Sequence, residues 1–82
     1  MSKKNIQRNF EMSAIFTEYS IEHPEILRSI PKNAEIIIIP ESEDELAKEN
    51  RALGHRITKL ENKPVMQAIQ SGKTWKLEPL NI

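Results

Sequence analysis

Four isoleucines stand in a row at positions 36–39, closed by Pro40, and no other feature limits the fold of this chain as tightly. Isoleucine is β-branched and favours extended backbone. A strand with one wet face alternates apolar and polar residues, whereas an unbroken apolar run needs cover on both faces, as in the middle of a parallel sheet. The run therefore predicts an interior strand over 34–39, with Pro40-Glu41 ending it because proline brings no N–H to a ladder.

A parallel partner strand requires a crossover, and the next segment supplies one. Leu46, Asn50, Leu53, Ile57 and Leu60 recur at spacings of four and three, which is the stripe of a helix over 43–61. Ser42 with Glu45 reads as a capping box, so Ser42→Ala is expected to cost about 1 kcal/mol. Asn62-Lys63-Pro64 ends the helix. Val65 to Ile69 reads as a second strand, parallel to the first. The link Gln70-Ser71-Gly72-Lys73 then leads to 74–78, whose alternation suits a half-exposed edge strand in a C-terminal β-hairpin.

Before this βαβ unit the chain predicts a helix over 5–22, stopped at His23-Pro24, and a short helix over 24–30. The long helix carries two apolar arcs. Ile6, Phe10, Ala14 and Ile21 form one; Met12, Ile15, Phe16 and Tyr19 form the other. Only one arc can face the sheet. The second, assigned to Met12, Ile15, Phe16 and Tyr19, is the expected interface of a homodimer or of a protein partner, the alternative being that the short segment 24–30, with Ile26, Leu27 and Ile30, or the C-terminal tail folds over it. The whole is an α/β (α+β) fold in a single domain, 1–82.

Bulk properties exclude several functions. The 82 residues hold no cysteine, so neither a disulfide framework nor a thiolate site exists. Lys and Arg number 12 and Asp and Glu 12, which gives no general pull toward nucleic acid or anionic lipid. The balance is uneven along the chain, net −4 over 31–47 and net +4 over 48–82, an asymmetry that either orients two copies or a partner or decorates a helix and its neighbours. The longest apolar run is those four isoleucines, far below the roughly 20 residues of a spanning helix. No membrane association is expected, and the cytoplasm is the expected compartment.

Chemistry-bearing motifs are equally sparse. Ser71-Gly72-Lys73-Thr74 resembles the end of a phosphate-binding loop, but Gln67 stands where the first glycine belongs and no helix follows. His23 and His55 belong to no ligand pair, and metal sites want three or four converging donors. Asp44 is the only aspartate, and no nucleophile elbow occurs. The expectation is no catalytic residues, no cofactor, no metal and no enzyme. A ligand site, if present, is expected near Pro40-Glu41-Ser42, with Glu41, Ser42 and His23 as its residues, where a strand end meets a helix N-terminus. Asn50 is the polar residue of an apolar stripe. It fixes register where helices meet across a two-fold axis, caps a backbone group near Pro40 or His23, or sits at the exposed edge of the stripe.

Asn9-Phe10-Glu11, His23-Pro24-Glu25, Ile30-Pro31, Ala34 to Ile39 with Pro40-Glu41, then Leu46 and Asn50, together resemble an uncharacterised prokaryotic family of about 80 residues, a domain of unknown function. The likeness runs over roughly 5–69. It implies a bacterial or archaeal source and no assigned activity, and it brings no catalytic residues. The combined reading is a non-catalytic interaction or regulatory module, antitoxin-like or a small subunit, acting as a homodimer. The alternative is a small-ligand binder or minor enzyme.

Overall fold

A computed structural model describes residues 2–80. In chain order it holds α1 (Lys3–Glu22), a short 3-10 helix (Pro24–Ser29), β1 (Glu35–Pro40), α2 (Asp44–Glu61), β2 (Val65–Ser71) and β3 (Thr74–Pro79). This is the expected α+β arrangement of helices with a mixed sheet. α1 opens on Ser2, whose Oγ accepts the Asn5 N–H at 3.1 Å. It closes at His23, whose N–H reaches the Tyr19 carbonyl before Pro24 turns the chain. Asn62 ends α2 in the left-handed conformation, φ 52°. Ser71 pairs with Thr74, so the hairpin turn is only two residues, shorter than the expected link. Gly72 supplies the positive φ, 62°, that so tight a turn needs.

The three strands lie in the order β1-β2-β3. β1 and β2 are parallel, with Ile38 beside Ala68, and β2 and β3 are antiparallel, with Ala68 beside Leu77. The central strand is therefore β2. The isoleucine run pairs in parallel as expected but is an edge strand, which corrects the interior placement. Ile37, Ile38 and Ile39 are buried because helices cover both faces of β1, and face burial says nothing about whether an edge is paired.

Two clusters make the core. On one face Met12 and Phe16 of α1 pack with Ile38, Ala68 and Trp75, joined by Tyr19 and Ile26. The Phe16 and Trp75 rings lie 5.1 Å apart at 55°, a favourable tilted pair. On the other face Ala47 of α2 packs with Ile37, Ile39, Val65 and Ile69. Gly54 brings α2 close, for a Cβ there would stand 2.7 Å from Ile37 Cδ1.

The two arcs of α1 are thereby exchanged relative to expectation. Met12 is 0% exposed and Phe16 7%, and Tyr19 is half-buried against the core, leaving Ile15 as the exposed member of that set. The free arc is the other one, with Ile6 46%, Phe10 74% and Ile21 73% exposed. Helical spacing shows two stripes and carries no preference between them; in the fold, Met12 and Phe16 pack over the small Ala68 of β2, between Ile38 and Trp75.

The helix cap also differs. α2 begins at Asp44 with Glu43 at the N-cap and no side-chain cap bond. Ser42 stays exposed in the turn, because the Glu43 N–H closes on the Pro40 carbonyl at 3.0 Å. Ser42→Ala is therefore expected to leave the melting temperature unchanged, within about 0.5 kcal/mol. A loss near the capping value in a thermal melt would show that Ser42 caps α2 in solution.

Candidate functional site

The edge of β1 has few free groups, and their positions follow from the ladder. In a parallel pair, one residue directs both N–H and C=O to the neighbouring strand and the next directs both away. The Glu35 N–H reaches Pro64 at 2.9 Å and the Glu41 N–H reaches Gln70 at 3.1 Å, so odd residues of β1 face β2. Ala34, Ile36, Ile38 and Pro40 face outward. Pro40 has no N–H, and its carbonyl takes the Glu43 N–H. The Ala34 N–H is held by the Pro31 carbonyl at 3.2 Å, and the Ile38 carbonyl accepts Asn50 Nδ2 at 2.8 Å. Four groups remain: the Ala34 C=O, the Ile36 N–H and C=O, and the Ile38 N–H. None of them meets a partner among the described residues.

Ile36, Ile37 and Ile38 floor a groove of about 160 Å³ between the helices, with Asn9 and Ser13 of α1 on one wall and Asn50 and Leu53 of α2 on the other, and Ala34 lies just before it. Exposed apolar residues lie on the same helix stripes as its walls. Ile6, Phe10 and Ser13 share one stripe of α1 by spacing, and Leu53 and Leu60 share one of α2. Phe10 and Leu60 are each 74% exposed, Ile6 46% and Ile36 36%. A bare backbone edge with apolar shoulders is the feature that soluble proteins ordinarily blunt.

Asn50 closes the upper end. It is 2% exposed, and its amide gives Nδ2 to both the Ile38 carbonyl and Asn9 Oδ1 (2.8 Å each) while accepting Asn9 Nδ2 at 3.1 Å. A buried amide satisfied on three sides ties α1, α2 and β1 together. It caps a backbone group near Pro40, one of the roles expected for it, and at 2% exposure it is not at the open edge of the stripe. Neighbouring ties reinforce it: Asn5 Nδ2 reaches Glu49 at 2.8 Å and Arg8 Nη2 reaches Glu43 at 2.7 Å.

The Arg8 pair has a pH signature. The hydrogen bond from Arg8 holds the Glu43 carboxyl below its ordinary value, and the same bond to Glu43 raises Arg8. A depressed carboxyl stabilises the fold above its unfolded pKa and loses that contribution as pH falls through its folded value. With side chains 38% and 32% exposed, solvent screening limits the pair to about 1 kcal/mol or less. Glu43→Gln is expected to lower stability by that amount at neutral pH, with the gap to wild type closing on acidification in denaturant titrations. A gap that persists in acid would point to packing instead.

The ligand residues expected from sequence do not assemble. His23 stacks on Tyr19 with ring centroids 4.3 Å apart, and its Nδ1 lies 3.5 Å from Glu25. It shares an open hollow with Trp75 and Lys76 of β3. Glu41 and Ser42 follow β1, at the opposite edge of the sheet, two strand spacings or about 10 Å away. Among the described residues no three His, Cys, Asp or Glu side chains converge as a metal would require. No helix there is long and apolar enough to cross a membrane. The groove residues missed from sequence, Asn9 and Ser13 above all, are the polar positions between the Ile6–Phe10 stripe and the Met12–Phe16 stripe of α1. Polar residues at the boundary between two arcs were the available signal.

The fold and groove define a small α+β domain organised around an open sheet edge. A family model described as a family of unknown function (DUF5647) matches residues 4–78, and the chain belongs to that family. No curated protein and no solved structure matches the chain.

Proposed function

We propose that the chain is a non-catalytic interaction module that acts as a homodimer, joined through the open edge of β1. One observation carries the reading: the outward backbone groups of residues 34–38 that meet no partner among the described residues, those of Ile36 and Ile38 lying in a groove beside exposed apolar side chains. Strand addition at such an edge gains main-chain hydrogen bonds for affinity, and alternate side chains give specificity. The small size favours it, since domains of this length bury a modest fraction of their surface and profit from a partner chain. The outer arc of α1 adds apolar surface beside the groove.

The test is sedimentation equilibrium at tens of micromolar, with wild type beside Ile36→Lys. Wild type is expected at twice the chain mass of 9.5 kDa. Lysine on an edge strand opposes pairing, so Ile36→Lys is expected at the single-chain mass with an unchanged far-UV spectrum. A wild type at the single-chain mass contradicts the reading. A variant that stays dimeric places the interface elsewhere.

A further inference from the structure

The positions of the four free groups do more than mark an edge; they select a register. Resting on the homodimer proposed above, we infer that two copies pair β1 against β1 antiparallel about a two-fold axis at Ile36, forming one continuous six-stranded sheet. In that register Ile36 faces Ile36 of the partner subunit, and Ala34 faces Ile38 of the partner subunit. Residues directly opposite in a hydrogen-bonded antiparallel pair exchange both N–H···O bonds. The Ile36 pair uses its N–H and C=O in both directions. The Ile38 N–H of each copy meets the Ala34 carbonyl of the other.

The remaining bond of that ladder would join the Ala34 N–H to an Ile38 carbonyl. Those are the two groups already satisfied within each chain, by the Pro31 carbonyl and by Asn50. Every free group thus finds a partner, and the two occupied groups fall opposite each other. Other two-fold registers fare worse. An axis at Ile37 sets the Ile36 N–H against the Ile38 carbonyl that Asn50 holds. An axis at Ile38 sets Ile36 against Pro40, which has no N–H to give and whose carbonyl is taken by Glu43.

Charge agrees with this geometry. α2 crosses back over the sheet from the end of β1 to the start of β2, so a two-fold that makes the β1 strands antiparallel makes the α2 helices antiparallel too. Each α2 begins with Glu43, Asp44 and Glu45 and finishes with Arg56, Lys59 and, just beyond, Lys63. The acidic end of one helix then lies toward the basic end of the other, favourable for the side chains and for the helix dipoles. Asn50 reaches Ile38, and Leu53 lies one turn further along α2, roughly 4.5 Å nearer the level of Ile36. That places Leu53 beside the axis. The exposed parts of Ile6, Phe10, Ile36 and Leu60 offer about 400 Å² of apolar surface per chain. That is about half of the roughly 800 Å² per partner of a stable interface, with backbone pairing and helix contact to add to it.

A single cysteine tests the register, because the chain contains none. Opposed residues of a hydrogen-bonded pair have Cα atoms about 5.5 Å apart, inside the span of a disulfide. Under mild oxidation Ile36→Cys is expected to give a covalent dimer on a non-reducing gel, far faster than Lys76→Cys on β3. A second readout needs no substitution. Isotope-filtered NMR on mixed labelled and unlabelled wild type should show Glu35 Hα against Ile37 Hα of the partner subunit, the close non-hydrogen-bonded pair of this register. A dimer by sedimentation that shows neither signal overturns the register and leaves the homodimer standing. A monomeric wild type overturns both.

Discussion

Asn50→Leu is expected to lower stability by about 2–3 kcal/mol, although leucine has the same branching of side-chain heavy atoms as asparagine and is the more apolar residue. The substitution strands the Ile38 carbonyl and the Asn9 amide, both of which Asn50 now satisfies at 2.8–3.1 Å. An orphaned buried polar group costs its desolvation, and apolar packing at one site returns only part of it. For a domain of this size the melting temperature should fall by roughly 10–20 °C. Asn50→Asp sharpens the test, because it keeps the shape and removes the donors. Burial against two acceptor oxygens raises the pKa of that aspartate, so its protonated form, which can donate, is the one the fold tolerates. Stability should then be best in acid and fall as pH rises through the raised value, the reverse of the Glu43 case. Thermal melts at acidic and neutral pH measure this. An Asn50→Asp variant as stable as wild type at neutral pH would show that the Ile38 carbonyl does not depend on Asn50.

Phe16→Ala and Phe10→Ala make the second large contrast, one residue type on one helix. Phe16 is 7% exposed and packs on Trp75, Met12, Ile38 and Ala68; Phe10 is 74% exposed. Removing Phe16 should cost about 3–5 kcal/mol through lost burial and a residual cavity. Removing Phe10 should change the stability of the single chain by about 0.5 kcal/mol or less, its effect appearing in the dimer. Urea denaturation in dilute solution reads both. Equal costs at the two positions would mean that both arcs of α1 are covered by the chain's own core.

Where these expectations depart from the sequence reading, the cause is contact at long range. The isoleucine run and the stripe from Leu46 to Leu60 made β1 and α2 legible, because helix and strand periodicity are local. The same run was silent about edges, since helices above and below bury a strand's faces whether or not a third strand pairs its rim. The arcs of α1 were visible as two, with aromatic side chains on both, and nothing within the helix ranked them. Asn5, Arg8 and Asn9, flanking the Met12–Phe16 arc, reach α2 across 44, 35 and 41 residues. Ser42 satisfied the local capping pattern, yet the helix starts one residue later. Glu43 is drawn into place by the Pro40 turn and by Arg8, and neither is part of the local motif. Asn50 stood out as the polar member of an apolar stripe, and its backbone-capping role was legible in outline. Its partner Asn9 was not.

The central claim is that the β1 edge is where two copies meet, and amide hydrogen exchange of the wild-type chain measures it most directly. Within one chain the Ile37 and Ile39 N–H groups face β2 and are protected, while those of Ile36 and Ile38 face outward. At concentrations that hold the dimer, all four amides should exchange slowly, and dilution should release Ile36 and Ile38 while Ile37 and Ile39 stay protected. Fast exchange of Ile36 and Ile38 at every concentration, beside a protected Ile37 and Ile39, would contradict the account.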